Sequence, residues 1–401
     1  MDFNLTEEQL ELQKWSRNLA KEKFAEKAYS WVRNNEVPWE NAKILAEQGL
    51  MGMTLPVEDG GQGMSLIEAI IVMEEIAKVC PNTADMFQVG NFGAIRQLSA
   101  YGSKQLKDRI LPTILSGEKL ISVAMSEPNA GSATTDLQTK ARIEGDKVII
   151  NGSKVFNTHG PHNSYYVVWV RFGESVRSSG AILVERGAPG FIVGKTETHM
   201  SGEEHCALYF EDCEVPVENI LIPDNGFKRL FTMFNIERMG NTARSLALAQ
   251  AAFDMAVVHA KERNQFGRPL AEFQGIQWKV AEMKMKLDAG RLLLYRAATN
   301  ADKGAPSPLE ASIAKAYINT SAFEVANEAL QIFGGYGYST EYPLEYIFKR
   351  VRGWMIAGGT PEMLKNKIAE DVFQMKFSQR KPKPEGSEKS ESKQLSSNSI
   401  N

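Results

Sequence analysis

Ala-Met-Ser-Glu-Pro-Asn-Ala-Gly-Ser at residues 124–132 and Gly-Ser-Lys-Val-Phe-Asn-Thr at residues 152–158 are the most informative pair of segments in the chain. The first is a short polar turn of small side chains, which lets backbone N–H groups and hydroxyls approach a phosphate closely; Gly131 and Ser132 suit that role. The second places Phe156 two positions before Thr158 in a run that reads as a strand. Both side chains then face the same way, and a flat ring system can lie against them. On spacing alone, two β-turns bounding ordinary strands account for the same residues.

Outward from this pair the hydrophobic period changes twice. Thr6 with Gln9 and Ser65 with Glu68 read as capping boxes before apolar positions of helical spacing (Leu12, Trp15, Leu19; Ala69, Val72, Ile76), so residues 1–119 are expected to be helical. Across 120–223, Val148–Ile150, Tyr165–Val170, Ala181–Val184, Phe191–Val193 and Ala207–Phe210 are short β-rich runs separated by Gly, Asn, Ser and Pro. They predict a small, barrel-like β-domain. After Asp224-Asn225-Gly226 the helical period returns. Phe227, Leu230, Phe231 and Phe234 form one face, and Phe273, Ile276, Val280, Met283 and Leu287 another; helices near 308–333 and 361–376 complete a four-helix set over 224–378. The order helix, sheet, helix predicts an α+β protein. Residues 379–401 are mostly Lys, Pro, Glu, Ser and Asn, a composition that cannot offset its ordering entropy, and read as a disordered tail.

With 401 residues, 43% hydrophobic and 24% charged, the chain has the balance of a soluble globular protein larger than one ordinary domain. A net charge of −3 offers no electrostatic footprint for nucleic acid or an anionic membrane, and neither partner is expected. The acidic start Met-Asp-Phe-Asn-Leu-Thr-Glu-Glu lacks the features of a secretory or transit signal. The odd set Cys80, Cys206 and Cys213 suits packing in a reducing cytoplasm. His159 and His162 have a spacing found in metal sites, but on a Gly/Pro/Asn loop without Cys or carboxylate ligands a surface loop is expected. The same reading applies to His199, His205 and Cys206, and no metal is expected.

Three further segments follow in order: Glu-Arg-Asn-Gln-Phe-Gly at 262–267, Gln-Ile-Phe-Gly-Gly-Tyr-Gly-Tyr at 331–338 and Ala-Gly-Gly-Thr-Pro-Glu at 357–362. With the first pair, the chain resembles the FAD-dependent acyl-CoA dehydrogenases from Met1 to about Ser378. The resemblance implies that Met125 and Ser126 contact the pyrimidine end of the flavin, that Thr158 bonds near its N5, and that Gly131 and Ser132 face phosphate. It also implies that Arg263 and Phe266 reach a neighbouring subunit's FAD, that Gln331, Gly334 and Gly335 match the dinucleotide site of that neighbour, and that Thr360 and Glu362 belong to the cofactor site. Arg263 and Gln331 are thus expected to serve one cofactor from different subunits, in a homotetramer. Ser132, Arg238 and Gly359 are assigned to the acyl-CoA substrate, and electron-transferring flavoprotein is the implied electron partner. Phe156 replaces the family's usual Trp, and Ala133 stands where an Asp commonly follows Gly-Ser; Asn157 and His159 are unusual at their positions.

The usual catalytic Glu of a Tyr-Glu-Gly-Thr stretch is absent, because Gly358 occupies its place. In a branch of the family that includes isovaleryl-CoA dehydrogenases, the base sits on the first helix of the C-terminal domain, a position matching Glu237, and a small residue stands where Gly358 does. The resemblance implies that Glu237 is the base and that the Gly358 N–H holds the thioester carbonyl. A solvated helix carboxylate is the alternative for Glu237, although neither Arg229 nor Arg244 lies within i±4 of it. Members resembling crotonobetainyl-CoA reductase share the Gly-Gly ending, so the reductive direction is open. Two other readings remain: a desulfinase with Arg96 holding a substrate acid group, and a non-catalytic subunit of a hetero-oligomer.

Overall fold

The computed structural model describes residues 4–301 and 304–379. The expected tail lies outside the described residues except for Gln379.

Seven helices open the chain: α1 (Glu7–Leu19), α2 (Ala28–Asn34), α3 (Trp39–Glu47), α4 (Leu66–Val79), α5 (Pro81–Asn91), α6 (Ala94–Tyr101) and α7 (Lys104–Leu115). Both predicted capping boxes form: Thr6 Oγ1 accepts from Gln9 N at 3.2 Å, and Ser65 N donates to Glu68 Oε2 at 2.7 Å. α4 is apolar on nearly every side and runs through the helical core, as a helix without a solvent face must. Its two buried carboxylates are paired, Glu75 with Arg17 and Lys78, and Glu74 with Arg291.

The β-domain contains β1 (Ile121–Ala124), β2 (Lys140–Glu144), β3 (Lys147–Thr158), β4 (Tyr165–Arg171), β5 (Ser179–Glu185), β6 (Phe191–Thr198), β7 (Glu204–Pro216) and β8 (Ile220–Ile222). The order is β6-β7-β3-β2-β4-β5-β8, with β1 parallel to β4. A single pair, Lys140 with Arg171, joins the β2 and β4 blocks, and residues of both blocks share one core. β4 shows how the domain is mounted. Tyr166, Val168 and Val170 fill the β-core, while Tyr165, Val167 and Trp169 join the helical core. Trp169 meets Phe231 and Phe234 edge-on at 5.3 and 6.2 Å, which fixes the β-domain against the next helix.

That helix, α8 (Gly226–Glu262), is followed by the two-residue strands β9 (Asn264–Gln265) and β10 (Arg268–Pro269), then α9 (Gln274–Thr299), α10 (Pro308–Phe333), α11 (Gly335–Tyr338), α12 (Leu344–Trp354) and α13 (Pro361–Val372). The four expected helices are present, and α13 ends earlier than predicted. α12 is an addition to the expected set. Its Leu344, Ile347, Val351 and Trp354 repeat at helical spacing and are buried, a pattern short enough to escape notice beside the Gly-rich segment before it. α8 and α10 face each other with buried alanines (Ala243, Ala247, Ala314, Ala322, Ala326), small residues that let the helix axes come close. At 37 residues α8 is about 55 Å long, so it carries one set of candidate residues near its start and another at its end. Cys80, Cys206 and Cys213 are buried free thiols, in keeping with the packing role expected. No helix among the described residues is long and apolar enough to cross a membrane.

Candidate active site

Glu237 and Arg238 lie on the first half of α8, against the turn between α12 and α13. One Glu237 oxygen, Oε2, is sealed from solvent without a hydrogen-bond partner, and it would lie 3.9 Å from a Cβ added at Gly93, the residue that caps α6. Burial pushes the Glu237 pKa up to about 7, with Arg244 and Arg238 opposing the shift. Arg244 is itself committed elsewhere, to Asp85 and Asn241, so Glu237 has no direct ion-pair partner among the described residues. A partly buried, unpaired carboxyl group that titrates near neutrality is a suitable proton acceptor. The solvated-carboxylate alternative does not fit this environment.

Arg238 points away from Glu237 and donates from Nε to the Gly358 carbonyl at 2.8 Å, while its Nη1 donates to Asn235 Oδ1 at 2.8 Å. Gly358 and Gly359 have φ of 72° and 100°, the left-handed region where glycine carries no Cβ penalty. No backbone hydrogen bond from the Gly358 N–H is formed among the described residues, so this donor is free for a ligand oxygen. A Cβ at Gly358 would sit 3.3 Å from Lys315 Cε. Lys315 was not singled out from sequence. It is fully buried on α10, donates from Nζ to the Trp354 carbonyl at 2.8 Å, and burial pushes its pKa down to about 7. Asn319 donates to the same carbonyl at 2.7 Å, so two α10 side chains hold the end of α12 and the turn that follows. In sequence, Lys315 sits within an ordinary amphipathic helix with no local signal.

Met125, Ser126, Phe156 and Thr158 come together at the end of β3. Val155 N donates to Ser126 O at 2.9 Å, which lays the β1 extension beside the end of β3. Phe156 and Thr158 are both exposed with Asn157 buried between them, so the same-face expectation holds, although the strand is irregular: Phe156 has φ of 58° beside a register shift between Lys154 and Asn157. This bulge lifts the Phe156 ring to 61% exposure. Beneath it, Lys154 is fully buried and donates to Glu127 Oε1 at 2.7 Å and Met125 O at 3.1 Å. Glu127 also accepts from the Gln138 and Thr139 backbone N–H groups. Gly131 and Ser132 are exposed, and a Cβ at Gly131 would meet nothing within 4 Å.

The histidines depart from expectation. His205 and Cys206 are not on a surface loop: they lie in β7, Cys206 is buried, and His205 Nε2 is 3.1 Å from Thr158 Oγ1. His162 pairs with Glu204 at 3.2 Å, and burial pushes the His159 pKa down to about 4 beside Asp85 and Arg350. Cross-strand register, invisible in a linear sequence, brings these groups in. No cluster of three or more His, Cys, Asp or Glu suited to a metal occurs among the described residues.

At the other end of α8, Arg263, Gly334 and Gly335 line one groove together with His259 and Tyr336. Arg263 lies over the Tyr336 ring at 5.9 Å, a Cβ at Gly334 or Gly335 would meet nothing within 4 Å, and Phe266 is 94% exposed. Gln331 is exposed one turn before the helix stop at Gly334. Arg263 and the Gly334–Gly335 pair therefore line one groove of the same chain. A guanidinium and bare glycine backbone fit a pyrophosphate, and an exposed aromatic and hydroxyl at the end of β3 fit a flat heterocycle. Thr360 caps α13 by accepting from Met363 N at 3.4 Å, and Glu362 follows in the first turn. Arg96, on α6, donates to the Thr54 carbonyl, and no carboxylate among the described residues pairs with it.

The chain thus combines a helical layer, a β-domain and a second helical layer, with a buried, unpaired Glu237 carboxyl oxygen between α8 and the start of α6. Family models described as the acyl-CoA dehydrogenase N-terminal, middle and C-terminal domains match residues 6–118, 122–213 and 224–373. The chain is 36% identical over 387 residues to a 3-sulfinopropanoyl-CoA desulfinase of Paraburkholderia xenovorans, covering 94% of this chain and 99% of the relative. It is 37% identical over 380 residues to an acryloyl-CoA reductase (NADH) of Anaerotignum propionicum, covering 93% and 96%. The butyryl-CoA dehydrogenase structure from Megasphaera elsdenii superposes with a TM-score of 0.86 at 31% identity, covering 93% of this chain and all of that one. The chain belongs to the acyl-CoA dehydrogenase family, oxidoreductases acting on the CH–CH bond of acyl-CoA thioesters.

Proposed function

We propose that this protein is an FAD-dependent acyl-CoA dehydrogenase in which Glu237 removes the α-proton of a short, branched or otherwise modified acyl-CoA. The observation that carries the reading is the Glu237 carboxyl group, unpaired, sealed at Oε2 and titrating at about 7, at the position left without a rival by Gly358. Bound FAD supplies a hydride acceptor for the substrate β-carbon. The chain contributes the rest. Gly358 N–H, with its carbonyl held by Arg238, bonds the thioester oxygen and stabilises charge that develops as the α-proton leaves. Ser132, Arg238 and Gly359 line the substrate; Met125, Ser126, Phe156 and Thr158 orient the flavin ring, and Gly131 and Ser132 its phosphates. Arg263, Phe266, Gln331, Gly334 and Gly335 of a neighbouring copy hold the nucleotide end, with Thr360 and Glu362 completing the site, in a cytoplasmic homotetramer. Electrons pass to electron-transferring flavoprotein in the oxidative direction, and the same residues serve enoyl-CoA reduction by reversing the Glu237 proton transfer. Anaerobic titration with a panel of acyl-CoAs should bleach the flavin for the true substrate class; a flavin that no saturated acyl-CoA reduces would overturn the dehydrogenase direction.

A second reading is favoured by Arg96. Its guanidinium is burdened by burial, lacks a carboxylate partner, and lies in the first turn of the helix capped by Gly93, which borders Glu237 Oε2. Such a cation suits an acyl chain ending in an acid group, and the Paraburkholderia relative is named for a sulfinate-bearing acyl-CoA. Release of sulfite from 3-sulfinopropanoyl-CoA without net flavin reduction would establish this reading in place of the first.

A further inference from the structure

Thr158, His205, His199 and Phe156 form a chain of side-chain contacts at the end of β3. Thr158 on β3 stands opposite His205 on β7. The His199 ring, at the tip of the β6–β7 hairpin, stacks on His205 with centroids 3.8 Å apart and planes inclined by 12°. Phe156 meets His199 edge-on at 6.0 Å, and at the other end His205 Nε2 stands 3.1 Å from Thr158 Oγ1. Glu203 in the hairpin tip pairs with Arg350 of α12, tying the tip to the helical layer.

The contact has a defined polarity. His205 Nδ1 is sealed from solvent and has no hydrogen-bond partner. A buried N–H without an acceptor is rarer and costlier than a bare lone pair, so the proton of the neutral ring belongs on Nε2. Burial, reinforced by the stacked His199, pushes the His205 pKa down to about 3, and the ring is neutral at ordinary pH. His205 Nε2–H therefore donates to Thr158 Oγ1. The hydroxyl proton of Thr158 then has no acceptor on His205 and turns to the exposed side.

We propose that His205 is a positioning residue that locks Thr158 as an outward hydrogen-bond donor, and that this polarity favours the oxidised over the reduced form of the bound flavin. The inference rests on the flavin reading above. An oxidised isoalloxazine has a bare nitrogen lone pair at its reacting edge and accepts a hydrogen bond there; the reduced ring carries an N–H at the same atom and donates. A hydroxyl whose proton is directed outward matches the first form and opposes the second.

The test is the reduction potential of the FAD-loaded protein. His205→Phe keeps an aromatic body against His199 and removes the donor, so Thr158 can rotate. The expected result is retained FAD and a roughly tenfold relative gain for the reduced form, an upward shift of about 30 mV for a two-electron couple. His205→Gln, whose amide can replace the donor, should hold the unaltered potential. Thr158→Val alone should raise the potential by a similar amount, and adding His205→Phe to it should change nothing more. An unmoved potential in FAD-loaded His205→Phe or Thr158→Val, or a full further shift in the double variant, would overturn the proposal. An unaltered chain that binds no FAD would overturn the flavin reading itself and this inference with it.

Discussion

Arg238 Nε donates to the Gly358 carbonyl oxygen at 2.8 Å, tying the start of α8 to the turn between α12 and α13. The bond anchors Gly358, the residue whose own N–H is left free, while the neighbouring Glu237 is left without a cationic partner of its own. Burial also pulls the Arg238 pKa down to about 10, with Glu237 opposing the shift, so the guanidinium stays charged throughout the working range.

Glu237→Gln keeps shape and removes the proton acceptor. Flavin reduction by acyl-CoA should slow by roughly two to four orders of magnitude while acyl-CoA still binds. Near-normal reduction in stopped-flow traces would sink the base assignment.

The same carboxyl group makes both rate and stability depend on pH. The base must be ionised for α-proton abstraction, so the unaltered enzyme should lose rate as pH falls through about 7. For stability the sign is opposite. The folded pKa is raised, so the stability contribution of Glu237 is complete below its unfolded value and is lost as pH rises through about 7. Glu237→Gln should therefore gain on the unaltered protein between pH 5 and pH 8, by at most ~3 kcal/mol. Parallel pH dependences of the two melting temperatures would contradict this.

Glu127→Ala leaves Lys154 buried without its carboxylate and frees the Gln138 and Thr139 N–H groups. A loss of about 3–5 kcal/mol is expected, measured by denaturant unfolding. Because the pair also holds Met125, FAD retention should fall with it. Full stability in Glu127→Ala would show that the pair is dispensable.

Gly358→Ala introduces a Cβ at a φ of 72° and 3.3 Å from Lys315 Cε, so it should cost roughly 1–2 kcal/mol and raise the KM for acyl-CoA. Gly358→Glu in the Glu237→Gln background should restore only a little activity, since Lys315 Nζ, 3.9 Å from the new Cβ, can capture the carboxylate. Recovery to near the unaltered rate would argue that Lys315 leaves that carboxylate free.

Arg263→Ala should release FAD from the purified protein more than it lowers the melting temperature, because Arg263 is exposed and lines the groove without a core role. Unchanged FAD occupancy would remove the groove from the cofactor site.

Residue types and their short-range periods determined much of this protein. The capping pairs Thr6–Gln9 and Ser65–Glu68, the change from helical to β period near residue 120, the same-face placement of Phe156 and Thr158, and the absence of a carboxylate at 358 beside a Glu at 237 could all be read along the chain. Each depends on neighbours within a turn or two, where covalent geometry sets who meets whom. Tertiary structure decided the rest. It set His205 against Thr158 through strand register, Lys315 under Gly358 through the packing of α10 on α12 and α13, and Arg263 beside Gly334 through the return of the chain. It also decided which charges lose their water: Glu237 and Lys315 look like ordinary helix residues in sequence, and only desolvation by distant elements brings both to about 7. Those juxtapositions arise from contacts between residues far apart in the chain, which no local pattern encodes.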